Sequence, residues 1–318
     1  MSTTSSRSDG IADSAVEYTV VGQRAASNSR SVTAVVLDRG TRQTRAEALA
    51  RLVEAGVGHV IVVLGPTPQY DVEHLASRLP SVQFLLLSRD VTVGERINLA
   101  MRESSSPYVL TLWSDMDLTA IGDRTLERVR ELGVLCCVPM LRTDRNEGIP
   151  SVIAPAFYRT TLRTVPTLPS ASGAPTLYVF AETGLFDRER FLSLGGYDPA
   201  IRNPYWQRCD LGFRAFLWGQ RIVTLPSLRI TATRELPADD ATPDAGYARF
   251  HLKNLAVKFV RDQARLPLSA WAAFLLRSGL TLTEAHRVFR DVRAWVRTNG
   301  YRFTQDARRV TELWEPGE

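Results

Sequence analysis

Two carboxylates one residue apart, Asp115 and Asp117, lie in the stretch Ser114-Asp115-Met116-Asp117, directly after an apolar run from Tyr108 to Trp113. A turn that ends a buried strand presents such side chains at the open end of a sheet. Their oxygens suit a hard divalent cation, Mg²⁺ or Mn²⁺, which keeps its other coordination positions for water and phosphate. An Asp-x-Asp turn by itself is as readily an acidic cap, so its surroundings decide. Other residues that could do chemistry are Asp38 and Arg39 after an earlier apolar run, and Asp210 one helical turn before Arg214. His251 and Lys253 lie in Arg249-Phe250-His251-Leu252-Lys253-Asn254.

The elements that must position these residues are legible from pattern. Apolar runs over 32–37, 59–64, 82–87 and 108–113 read as strands buried on both faces. Between them, 45–55, 71–78 and 92–103 read as helices, with a further helix at 123–132 and a strand at 134–138. Continuous apolar strands alternating with helices indicate an α/β fold with a mostly parallel sheet flanked by helices. Ligands of such sheets bind beyond the carboxyl ends of the strands, where Asp115 and Asp117 fall. The stretch 142–175 reads as strands and long loops, 177–181 as a strand, 187–194 and 210–218 as helices, and 221–224 and 228–233 as strands. After a polar linker at 237–243, helices are predicted over 247–265, 267–277 and 284–297, the last with Thr283 as its cap.

The chain has 318 residues, 44% of them hydrophobic, and a formal net charge of +5. That is enough for one large domain and a smaller appendage. Lys253 and Lys258 are the only lysines, so the positive charge is almost entirely arginine. Cys136, Cys137 and Cys209 form no CxxC pair, so a zinc or disulfide framework has no support and the cytoplasm is the expected compartment. Residues 1–30 are rich in Ser, Thr and Ala without an apolar core, so they are expected to be a disordered tail rather than a signal peptide. No apolar stretch is long enough to cross a membrane.

The segment Gly94-Glu95-Arg96-Ile97-Asn98-Leu99-Ala100, then Pro107 to Leu110, then Ser114-Asp115-Met116-Asp117, resembles family 2 glycosyltransferases. Further on, Thr183-Gly184 with Arg188 to Phe191, Gly195-Gly196-Tyr197-Asp198, and Asp210-Leu211-Gly212-Phe213-Arg214 with Gly219 are similar to that family's acceptor-side segments, in the same order. The resemblance covers residues 31–235 and leaves 236–318 as a C-terminal helical extension. It implies a GT-A fold, a nucleoside-diphosphate-sugar donor, a divalent metal and inversion at the anomeric carbon. By position, Asp117 would be the main metal ligand and Asp115 would contact metal or ribose. Arg96 and Asn98 would lie near the nucleotide. His251 would be a third metal ligand and Lys253 a phosphate contact.

Two departures stand out. The turn Leu64-Gly65-Pro66-Thr67-Pro68 lacks the carboxylate with which the family touches the base, which leaves Asp38 or Arg39 for that role. The family's general base is the Asp of a Glu-Asp pair before the Arg matched by Arg214, and the matching positions here are Gln207-Arg208. A carboxylate must take the acceptor proton, and Asp210 is the expected substitute. The acceptor is open: a glycan, a lipid-linked glycan or another hydroxyl compound. No nucleic-acid partner is expected. The arginine- and aromatic-rich C-terminal helices are expected to pack on the catalytic domain, form a homodimer interface, or touch the inner face of a membrane. Two other readings stay open. One is a non-catalytic binding or scaffold protein on the same fold. The other is a sugar-phosphate nucleotidyltransferase, faintly echoed by Val36-Leu37-Asp38-Arg39-Gly40-Thr41-Arg42.

Overall fold

The computed structural model describes residues 16–23, 32–39, 46–67, 71–158, 161–169, 171–312 and 314. The chain begins with β1 (Tyr18–Val21), β2 (Val32–Leu37), α1 (Ala46–Glu54), β3 (His59–Leu64), α2 (Val72–Arg78), β4 (Val82–Leu87), α3 (Val93–Glu103) and β5 (Tyr108–Trp113). β2 and β3 are buried at every residue, as their unbroken apolar runs require. β4, β3, β2 and β5 pair in parallel, so their carboxyl ends open on one edge. β1 falls in the segment expected to be disordered. It pairs antiparallel with β4 and so covers that edge of the sheet. The rest of the expected tail, 1–15 and 24–30, lies outside the described residues.

β6 (Met116–Leu118), α4 (Asp123–Leu132) and β7 (Cys136–Thr143) follow, then a hairpin of β8 (Val152–Tyr158) and β9 (Thr161–Thr167). Next come β10 (Gly184–Asp187), α5 (Arg188–Leu194), α6 (Pro204–Leu217) and β11 (Ile222–Ala232). The nine-stranded sheet has the order β1-β4-β3-β2-β5-β10-β7-β11-β6. The strand expected over 177–181 is instead an irregular segment ending in a single 3-10 turn, Phe180–Glu182, and the strand begins at Gly184. The two strands expected over 221–233 are one, with an irregularity in its pairing between Leu225 and Arg229. Cys136, Cys137 and Cys209 are buried free thiols. Burial pushes Cys137 up to about 12, so it is a packing group and not a nucleophile.

α6 starts earlier than expected because Asn203 accepts hydrogen bonds from the backbone N–H groups of Tyr205 and Trp206, and Pro204 occupies the first helical position. Its Leu211 and Ala215 join the core beneath the sheet. Its Tyr205, Trp206, Cys209, Phe213 and Leu217 belong to a second core. A Cβ at Gly212 would lie 2.0 Å from the Leu177 carbonyl oxygen, so only glycine lets the helix approach so closely there.

That second core is completed by α7 (Ala245–Phe250), a π-helical turn (His251–Leu255), the hairpin β12 (Lys258–Val260) and β13 (Gln263–Arg265), α8 (Ala270–Ser278), α9 (Leu282–Asn299) and α10 (Ala307–Glu312). The helix expected over 247–265 thus breaks into helix, π turn and hairpin. The hairpin turns through Arg261 and Asp262, both at positive φ. α9 is capped by Thr281 rather than Thr283, in a reciprocal box with Glu284. Among the described residues no helix is long and apolar enough to cross a membrane.

Candidate donor and acceptor site

Asp115 follows β5, and Asp117 sits on β6, paired with Thr231 of β11. The Asp115 backbone carbonyl accepts from both the N–H and the Oγ1 of Thr233, each at 2.9 Å, which fixes the turn. The turn opens on a cavity of about 200 Å³ lined by Glu47, Arg51, Ser114, Asp115, Asp117 and Thr233. Each carboxylate faces one arginine: Arg39 Nη1 lies 3.3 Å from Asp115 Oδ2, and Arg51 Nη2 lies 3.0 Å from Asp117 Oδ1. Asp115 Oδ1 is buried with no hydrogen-bond partner. A buried carboxylate oxygen left unpaired is costly unless a cation or donor completes it. Arg39 also lies 4.3 Å over the ring of Trp113. Asp38 Oδ1 accepts from Ser114 Oγ at 3.4 Å, so the end of β2 touches this turn as well.

Arg96 and Asn98, expected near the nucleotide, have positioning contacts. Arg96 donates to the Asp38 backbone carbonyl at 3.1 Å and so holds the segment after β2. Asn98 makes two 2.8 Å bonds to Tyr197, accepting from its N–H and donating to its carbonyl. Gln207 accepts from Gly94 N–H at 3.1 Å and donates to Asp198 O at 3.0 Å. α3, the Gly195-Gly196-Tyr197 turn and α6 are clamped by these bonds.

Asp210 is fully buried. Its Oδ2 meets Arg214 at 2.8 Å and Lys253 at 3.1 Å, and its Oδ1 accepts from Asn254 at 2.8 Å. Burial alone would raise its pKa, but Lys253 and Arg214 hold the carboxyl below the ordinary carboxylate value. An acceptor hydroxyl has no path to such a group, and both oxygens are engaged. This differs from the role expected for Asp210, because the helix turns it into the second core. Lys253 is equally sealed: its Nζ bonds Asp198 at 2.8 Å and lies 4.6 Å over the Trp295 ring. It is therefore committed to Asp198 and Asp210 rather than to a phosphate. His251 stands on the π turn with its ring 6.0 Å from that of Tyr247. Among the described residues no three His, Cys, Asp or Glu side chains gather around one metal position, so His251 does not join Asp115 and Asp117.

Arg208, which fills the expected base position, instead gathers two carboxylates. Its Nε lies 3.4 Å from Glu182 Oε1, and its Nη2 donates to Asp239 Oδ1. Asp239 also accepts from the Tyr178 hydroxyl at 3.3 Å. Ala181 and Glu182 are consecutive non-glycine residues at φ 49° and 52°. Left-handed backbone at such residues is strained and persists where the surroundings enforce it. Trp113 Nε1 donates to the Ala181 carbonyl at 2.8 Å, and Thr111 Oγ1 donates to the Glu182 carbonyl at 2.5 Å. Burial raises the Glu182 pKa, with the Arg208 charge opposing. Sequence reasoning missed Glu182 and Asp239. The one signal was a glutamate ending an otherwise apolar run, Leu177 to Ala181.

No family model matches the sequence, and no curated protein matches it. Solved structures do match. GalNAc-T7 with UDP, GalNAc and Mn²⁺ is 12% identical, with a TM-score of 0.57 over 92% of this chain and 59% of that one. TarS of S. aureus is 12% identical, with a TM-score of 0.51 over 89% of this chain and 45% of that one. Residues 1–349 of TarS in complex with UDP-GlcNAc match with a TM-score of 0.51 over 82% of this chain and 71% of that one. The chain thus spans little more than half the length of the GalNAc-T7 chain. The order of strands, the Asp-x-Asp turn beyond β5 and these likenesses together give the chain a GT-A glycosyltransferase fold.

Proposed function

We propose that the chain is a metal-dependent, family 2-like glycosyltransferase that moves a sugar from a nucleoside-diphosphate-sugar to an acceptor hydroxyl with inversion. The observation that carries this reading is the buried, unpartnered Oδ1 of Asp115 beside Asp117, in a cavity at the carboxyl ends of the sheet. The pair fits a divalent cation, which would offset negative charge on the departing diphosphate. Arg39 and Arg51, each already facing one carboxylate, are placed to turn to diphosphate oxygens, for which a guanidinium fork is suited. Trp113 offers a flat apolar face beside Arg39. Glu182 acts as the base that takes the acceptor proton, standing in for the aspartate replaced by Arg208. Its raised pKa brings it nearer neutrality, which favours proton abstraction. Arg208 holds it in place, and Asp239 shares the neutralisation of Arg208.

Thermal denaturation against UDP, GDP and dTDP, with and without Mn²⁺, tests the donor site. One nucleoside diphosphate is expected to raise the melting temperature only when Mn²⁺ is present, because ligand that binds the native state alone stabilises it. Asp117→Ala should remove that rise. No response to any of the three would overturn the reading. A response to a nucleoside triphosphate with a sugar phosphate instead would favour nucleotidyl transfer, whose echoing loop at 40–42 lies outside the described residues.

A further inference from the structure

A cavity of about 1160 Å³ lies far along the chain from the Asp-x-Asp turn and shares no lining residue with it. Its floor is apolar and aromatic. Trp271 of α8 meets Phe289 of α9 at 5.4 Å between ring centroids, and Leu266 and Val296 are buried beside them. Leu268 and Tyr301 line the same cavity at 64% and 73% exposure, so apolar surface continues outward from the floor to solvent.

The wall is basic. His286, Arg290, Arg293 and Arg297 recur at helical spacing along one stripe of α9, all exposed, and Arg265 of β13 adds a fifth nitrogenous side chain. Arg290 has one loose ion pair with its neighbour Asp291 at 3.8 Å, between exposed side chains. Among the described residues Arg293 and Arg297 form no ion pair. A row of like charges costs stability unless anions meet it. An aromatic floor with a rim of arginines, of which Arg293 and Arg297 have no ion pair among the described residues, matches a molecule that is apolar at one end and anionic at the other.

We propose that this groove docks the chain on the anionic face of a phospholipid membrane. Headgroup phosphates meet the arginine stripe of α9, and one acyl chain enters the groove over Trp271 and Phe289. The occupant is a membrane lipid rather than a free phosphate. A lone phosphate would satisfy the arginines but leave the apolar floor and the exposed Leu268 and Tyr301 unexplained. The inference does not rest on sugar transfer, since it uses no residue of the donor site.

Flotation of the full chain with vesicles tests it. Vesicles of phosphatidylcholine containing phosphatidylglycerol are expected to carry the protein, and pure phosphatidylcholine vesicles are not. Binding should weaken as salt is raised. Each basic residue near an anionic surface contributes about fivefold in affinity, from roughly 1 kcal/mol apiece. The triple variant Arg290→Gln, Arg293→Gln, Arg297→Gln should therefore bind on the order of a hundredfold more weakly. Leu268→Ser with Tyr301→Ser, both at exposed positions, should also reduce binding at constant charge. Unchanged thermal denaturation shows that each variant is folded. Binding that ignores the arginines, or no preference for anionic vesicles, overturns the proposal. Loss with the arginines but none with Leu268 and Tyr301 overturns lipid insertion and leaves plain anion binding. Release by inorganic phosphate at concentrations too low to act by ionic strength does the same.

Discussion

Lys253→Met is expected to lower the stability of the folded chain by about 3 kcal/mol, the cost of removing one partner from a buried ion network. Lys253 is 4% exposed and bridges Asp198 and Asp210. Without it the two carboxylates face each other across the gap, although Arg249 still holds Asp198 at 2.9 Å and Arg214 still holds Asp210. Those remaining partners keep the cost at the lower end of what a broken buried pair gives. The same network sets a pH response. Burial works to raise the Asp198 carboxyl, but Lys253 and Arg249 hold it well below the ordinary carboxylate range. A carboxyl depressed on folding contributes stability that is fully present above its unfolded pKa, near 4, and lost as pH falls through the folded value. The contribution of this network should therefore be lost in acid only below about pH 4. In the methionine variant both carboxyls rise towards their unfolded value, so less stability is lost in acid. Chemical denaturation at several pH values measures both effects. A cost under about 1 kcal/mol, or an undiminished loss of stability in acid, would show that Lys253 does not neutralise the pair.

The second large effect is on turnover. Glu182→Gln should reduce kcat for donor hydrolysis, in which water takes the acceptor's place, by about 10²- to 10⁴-fold, the usual worth of a general base. Affinity for the nucleoside diphosphate should stay the same, because that ligand is assigned to the Asp115 side of the cleft. The native enzyme should lose activity as pH falls through the raised pKa of Glu182, and that limb should vanish in the variant. Stability runs the other way. A group whose pKa is raised by burial contributes stability below its unfolded value and loses it as pH rises through the folded one. At neutral pH a neutral glutamine that keeps the shape is thus not expected to unfold the site. Full activity in Glu182→Gln would pass the base role to Asp239, whose side chain is 25% exposed.

Much of the fold was legible because the sheet strands are apolar on both faces and the helices between them are capped. The ordered motif residues were legible for a different reason: they touch one another. Asn98 grips Tyr197, Gln207 grips the start of α3, and Arg214 donates at 2.6 Å to the carbonyls of both Leu194 and Gly196. Their spacing therefore reports a clamp between α3, a turn and α6. The acid at Glu182 was not legible. Its left-handed backbone carries no glycine, and its partners Arg208 and Asp239 come from a helix and a linker further along the chain. The break in the helix expected over 247–265 was hidden for a similar reason, since Arg261 and Asp262 turn the hairpin without glycine or proline. Asp210 misled because sequence shows that a carboxylate is present but not which way the helix rotates it.

The two-sided burial of α6 has a consequence for how the chain comes apart. The sequence suggests a seam near residue 235, with a transferase on one side and an appendage on the other. Trp206, Cys209, Phe213 and Leu217 are the wall of one core, while Leu211 and Ala215 of the same helix belong to the other. Severing the chain at that seam would bare an aromatic helix face to water, and α6 cannot stay put when only one of its faces is held. The two halves should therefore melt together, as a single transition in calorimetry, and a fragment ending at 235 should aggregate rather than fold.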